Sequence, residues 1–114
     1  MKAAIMHGVG DLRVEEVARP AISEPDEVLV RIHACGICPS DLRAYTGVRT
    51  PHRGWGYIPG HEWAGEVVEM GEDVEGFAPG DRVVPNPMLV CGTCYNCMRG
   101  LYSFCENLQR RRVR

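Results

Sequence analysis

Cys91, Cys94, Cys97 and Cys105 fall within one short stretch, in the spacing C-x2-C-x2-C-x7-C. Four thiolates this close together can surround one tetrahedral zinc, each offering a soft sulfur. Zinc also holds such thiols deprotonated at neutral pH. Four sulfurs fill the coordination sphere, so a metal held there has no position open to substrate and serves structure. A bacterial iron–sulfur motif also begins C-x2-C-x2-C, but it continues x3-C-P. Here the fourth cysteine comes after seven residues and is followed by Glu106. Disulfides are the other alternative. The N-terminus has no signal-peptide pattern, and in such a chain CxxC pairs favour metal ligation.

A second set of candidate ligands lies upstream. Cys38 closes a second CxxC with Cys35, and Gly60-His61-Glu62 follows. One sulfur, one imidazole and a third protein ligand would leave a fourth position for water or a substrate oxygen. Zinc in such an open site is a Lewis acid toward an alcohol. Read on spacing alone, His61 is as well explained as an ordinary loop histidine beside glycine.

The elements that must position these residues are mostly strands. Lys2 to Met6 is a short apolar run, and Gly8 and Gly10 turn the chain after it. Leu12 to Val17 alternates, imperfectly, between apolar and charged residues. Glu27 to Cys35 is the clearest strand, with Val28, Val30, Ile32 and Ala34 on one face and Leu29, Arg31 and His33 on the other. Pro39 to Tyr45 reads as a short helix, with proline in its first turn and Gly47 closing it. Residues 47–60 hold four glycines and two prolines and read as a loop. Ala64 to Met70 and Arg82 to Val84 read as further strands, joined by a turn-rich stretch ending Pro79-Gly80-Asp81. The cysteine lobe, about residues 88–106, has few large apolar residues and little regular pattern, so metal is expected to hold its shape. Short strands punctuated by Gly and Pro point to a mainly β barrel or sandwich.

Composition sets the outer limits. The chain has 114 residues, enough for one domain with a modest core, and a formal net charge of −2. That balance gives no general reason to expect nucleic acid or an anionic membrane as partner. No apolar run approaches a membrane span, and the expected location is cytoplasmic. Arg110, Arg111, Arg112 and Arg114 make a basic tail, read as a solvated end.

The motifs in their order resemble a known family. Cys35-Gly-Ile-Cys38-Pro-Ser40-Asp41-Leu is followed by Gly60-His61-Glu62-x-x-Gly65-x5-Gly71-x2-Val74, then by Gly80-Asp81-Arg82-Val83, then by the four-cysteine lobe. This is similar to zinc-dependent medium-chain alcohol and polyol dehydrogenases, over nearly the whole chain. The resemblance implies the N-terminal part of the GroES-like catalytic domain: a partial β-barrel with short helices and a zinc-binding lobe. It implies that Cys38 and His61 are ligands of a catalytic zinc, and Cys91, Cys94, Cys97 and Cys105 those of a structural zinc. Cys35 is implied to be a buried thiol beside the open site. Asp41 would accept a hydrogen bond from the other ring nitrogen of His61, Ser40 would receive the substrate's proton, and Glu62 would lie behind the metal. Asp41 can equally serve as a helix-start carboxylate. Gly65 and Gly71 are expected to permit tight turns or close packing.

The same resemblance implies NAD or NADP as cofactor, a small alcohol or polyol as substrate, and a homo-oligomer in the full-length enzyme. Two positions depart from the common pattern. Pro39 follows the ligand cysteine where an arginine or histidine is frequent, and Arg43 stands where a proton-relaying histidine is often found; arginine stays protonated. No Gly-rich dinucleotide fingerprint after a strand is present, since Gly54-Trp-Gly56-Tyr-Ile-Pro-Gly60 has the wrong spacing. The chain is therefore expected to be an incomplete catalytic domain, residues 1–114, without a Rossmann domain, without a cofactor-binding residue of its own, and without the family's third catalytic ligand. It is expected to bind zinc without turning over. A stand-alone zinc-binding interaction module is the alternative.

Overall fold

The computed structural model describes residues 1–48 and 54–108. Part of the expected 47–60 loop, and the arginine tail, lie outside the described residues. The elements are β1 (Lys2–Gly8), β2 (Asp11–Glu16), β3 (Val28–Cys35), α1 (Pro39–Tyr45), β4 (Trp63–Met70), β5 (Arg82–Val83), α2 (Tyr95–Met98) and a 3-10 turn (Tyr102–Phe104). The architecture is mainly β, as expected. β1 and β2 form an antiparallel hairpin, while β3, β4 and β5 form a second antiparallel sheet in that order. A single bridge, Met6 to Tyr57, ties the hairpin to the segment that leads into His61.

The core is small. Among the described residues, Met6, Ala44 and Val67 are the buried side chains outside the cysteine lobe. Val67 sits where the second sheet is fastened to the Pro79-Gly80-Asp81 turn. Its N–H donates to the Asp81 carbonyl at 2.9 Å, and its own carbonyl accepts from the Gly80 N–H at 2.8 Å. Asp81 Oδ2 also accepts from the Ala78 N–H at 2.8 Å, which closes the turn just before β5.

The alternation read for β3 does not survive pairing. The β3–β4 register shifts between Leu29 and Val30 and again between Ile32 and Ala34. Each shift is an irregularity of the bulge kind, which twists the strand and resets which side chains face the same way. Leu29 and Val30, neighbours in sequence, are both half-buried, whereas Ile32 is exposed.

Two glycines bear on how closely the segments pack. A Cβ on Gly65 would stand 2.5 Å from the Arg31 carbonyl oxygen, and one on Gly71 would stand 2.2 Å from the Pro25 carbonyl oxygen. Both neighbours are backbone atoms and cannot swing aside. Gly71→Ala is expected to destabilise the fold by about 1–3 kcal/mol in urea unfolding, the usual cost of overpacking. Gly8→Ala is the control, because its Cβ would meet nothing nearer than 3.9 Å. Equal stabilities for the two variants would refute this packing account.

Candidate metal centres

The closed centre is built by turns, not by regular elements. Backbone N–H groups point at sulfur: Cys94 N donates to Cys91 Sγ at 3.3 Å, Cys97 N to Cys94 Sγ at 3.5 Å, and Cys91 N to Cys105 Sγ at 3.4 Å. Cys94 thereby caps α2 with its own sulfur. The four sulfurs lie within 4.8 Å of one another. Cys91 Sγ is 3.7 Å from Cys105 Sγ and 4.0 Å from Cys97 Sγ. A tetrahedral zinc with Zn–S near 2.3 Å has edges of about 3.8 Å, so the arrangement has the size of a zinc cage. All six cysteines are free thiols, and these spacings are far longer than a disulfide's.

The thiols' acidities reflect that geometry. The backbone N–H groups of Thr93 and Cys94, with the Thr93 side chain, hold the Cys91 thiol down at about 5. The Cys94 thiol is lowered by the backbone of Cys97 and then of Glu106. Burial, followed by hydrogen bonding with Cys94, pushes Cys97 up to about 12. N–H dipoles favour negative charge on Cys91 and Cys94, whereas burial resists it on Cys97.

The open centre brings Cys38, His61 and Glu62 together, with one ligand atom of each within 4.8 Å of the others. β3 ends at Cys35, and the Gly36 N–H then donates to the Glu62 carbonyl at 2.7 Å, so the two ligand-bearing segments are pinned by backbone. Cys38 occupies the cap position of α1, where Asp41 Oδ2 accepts from its N–H at 2.9 Å. Gly60 is required twice over: its φ is +109°, and a Cβ there would stand 2.8 Å from Cys35 Sγ. Ser40 Oγ lies 3.4 Å from His61 Nε2. Asp41 Oδ1 lies 3.6 Å from His61 Nδ1, an electrostatic contact longer than a hydrogen bond. One carboxylate oxygen thus caps the helix, as expected, while the other faces the imidazole without the hydrogen bond that was expected of it.

One expectation needs correction. Cys35 is exposed, not buried, because the end of β3 has no covering layer among the described residues. Glu62, read as lying behind the metal, is exposed and has a carboxylate oxygen within 4.8 Å of the Cys38 and His61 ligand atoms. Its place follows from the backbone tie to Gly36, which spacing alone does not reveal. Sequence reasoning also missed an open cavity of about 450 Å³ in which Ala34, Trp63, Val84 and Pro85 stand beside His61 and Glu62. The one available signal was Pro85-Asn-Pro87, which bends the chain away just after β5.

Comparison with known proteins gives the family. The family described as the alcohol dehydrogenase GroES-like domain matches residues 24–112. Sorbitol dehydrogenase of Bacillus subtilis is 41% identical over 116 residues, covering 96% of this chain and 31% of that protein. Erythritol/L-threitol dehydrogenase of Mycolicibacterium smegmatis is also 41% identical, over 93% of this chain and 32% of its own length. Among solved structures, galactitol-1-phosphate dehydrogenase from Escherichia coli superposes with a TM-score of 0.81 at 35% identity, covering 97% of this chain and 32% of that one. Alcohol dehydrogenase TADH from Thermus sp. ATN1 gives 0.78 at 39% identity, over 93% and 30%. The chain belongs to the zinc-type medium-chain alcohol dehydrogenase family and has its GroES-like fold. It spans about a third of the length of the curated relatives it matches.

Proposed function

We propose that these residues are the metal-bearing, GroES-like part of an NAD(P)-dependent zinc oxidoreductase that converts alcohols or polyols to carbonyls. The observation that carries the reading is the cluster of Cys38, His61 and Glu62 with the Ser40 hydroxyl beside it. The donor set, one thiolate, one imidazole and one carboxylate, fits zinc with a position left open. Zinc held there would polarise a substrate hydroxyl. Asp41 faces Nδ1 of His61 and favours the proton there, which leaves the Nε2 lone pair free for the metal. Ser40 is assigned acceptance of the substrate's proton, and Arg43 cannot relay it onward, so the proton leaves through water. The relatives' names, sorbitol, erythritol/threitol and galactitol-1-phosphate dehydrogenases, support polyols as the substrate class.

Hydride transfer needs a nicotinamide held close to the reacting carbon. The proposal assigns that task, with NAD or NADP binding, to a nucleotide domain of the full-length enzyme, which we take to be cytoplasmic and homo-oligomeric. The 114-residue chain alone is expected to show no alcohol-dependent reduction of NAD or NADP, and the full-length enzyme is expected to show it. Polyol-dependent absorbance at 340 nm checks both. A full-length enzyme inactive toward alcohols and polyols would sink the proposal. Among the described residues no helix is long and apolar enough to cross a membrane. The stand-alone interaction module gains no support, since the arginine tail that suggested it lies outside the described residues.

Metal content gives a separate check. The lobe is expected to retain about one zinc per chain through dialysis, with a second, easily chelated zinc at Cys38, His61 and Glu62. Iron, or no metal in carefully reduced protein, would overturn both assignments.

A further inference from the structure

We infer that the four-cysteine lobe is a peroxide-responsive thiol switch in which Cys91 and Cys105 are the pair that joins. The inference rests on the zinc reading of the lobe. Cys91 and Cys94 are half-buried, while Cys97 and Cys105 are buried, so a small oxidant meets one of the first two. Cys91 has the sulfurs in reach: Cys105 Sγ at 3.7 Å and Cys97 Sγ at 4.0 Å. The Cys91 N–H already donates to Cys105 Sγ at 3.4 Å, which holds the two segments together. Closing to a disulfide needs each of those sulfurs to move by less than about 1 Å.

The chemistry balances with hydrogen peroxide as oxidant. The Cys91 thiolate attacks one peroxide oxygen, the O–O bond breaks, and the departing hydroxide takes a proton to become water. The sulfur is left as a sulfenic acid. The Cys105 thiolate attacks that sulfur, the S–O bond breaks, and a second hydroxide leaves and is protonated. Two thiolates, one peroxide and two protons give one disulfide and two waters, with two electrons passing from sulfur to oxygen. Cys94 and Cys97 are then the only thiols left to the lobe, too few to keep zinc, and a dithiol reductant restores all four.

The test uses the zinc-loaded Cys35→Ser chain, which removes the exposed thiol and leaves the lobe intact. Zinc content is measured first, so a lobe that holds no zinc is recognised as a failure of the zinc reading. A chromogenic zinc chelator is added first, to take up the easily chelated zinc of the open centre; peroxide follows, only zinc released after it is counted, and samples are quenched with N-ethylmaleimide. Arg99 lies between Cys97 and Cys105, so trypsin separates Cys105 from the other three cysteines. The expected result is a cross-linked peptide pair joined through Cys91 and Cys105, about one zinc released per disulfide, and recovery with dithiothreitol and zinc. A first bond within the Cys91–Cys97 peptide, or zinc release with sulfinic acid and no disulfide, would overturn the inference.

Discussion

His61→Ala in the full-length protein is expected to abolish the alcohol-dependent reduction of NAD and NADP proposed for it. The substitution removes the imidazole that lies within 4.8 Å of Cys38 and Glu62 in the cluster proposed to hold zinc. It also orphans the Asp41 oxygen that faces Nδ1. Ser40→Ala acts differently. The zinc content is expected to be unchanged, because the hydroxyl is not a ligand, while turnover falls by about 10²–10⁴, the usual size of a lost proton-transfer group. Asp41→Asn is intermediate: the orienting charge is lost and zinc affinity at the open centre falls by about 10–100-fold. The three variants separate binding from proton transfer when steady-state rates are read beside metal content. A His61→Ala enzyme that keeps full activity would remove His61 from the site. A Ser40→Ala enzyme with unchanged turnover would mean that the proton leaves by another route.

Cys97→Ser has the largest expected effect on stability. Cys97 and Cys105 are the only buried side chains of the lobe, whereas Leu89, Met98, Leu101, Tyr102 and Phe104 are exposed. The sulfurs are therefore the lobe's core, and an apolar core that could survive their loss is missing. Apparent zinc binding in small zinc peptides is about 10–16 kcal/mol, enough to account for the whole order of such a lobe. Cys97→Ser is expected to lose zinc and lower the melting temperature by many degrees. Cys35→Ser, which removes an exposed thiol, is expected to shift it little. Equal melting temperatures for the two variants would contradict the roles given to these cysteines.

Much of the fold was legible in residues with local meaning. Pro39 and Gly47 bracket α1 because a proline tolerates the first turn and a glycine tolerates φ of +77° after the last. The C-x2-C-x2-C-x7-C spacing marks the closed centre because its ligands are near in sequence as well as in space. What escaped depended on partners far along the chain. The two faces read for β3 were scrambled by its register against β4, which no periodicity in β3 alone encodes. The exposure of Cys35 reflects what packs over β3, not what β3 contains. Glu62 was read from a motif, and its approach to Cys38 follows from a hydrogen bond 26 residues away in numbering, between Gly36 and Glu62.

That hydrogen bond also says something about how such a site can change over time. Cys35 pairs with Trp63 in the β3–β4 ladder, and Gly36 is tied to Glu62, so the strands themselves fix the spacing between the two ligand-bearing segments. Residues 46–48 and 54–59 take no part in that ladder. Insertions or deletions there leave the ladder register untouched, and the cost of a longer loop grows only slowly with its length. A lineage can then change its chain length outside the ladder while the spacing between the two segments is inherited unaltered.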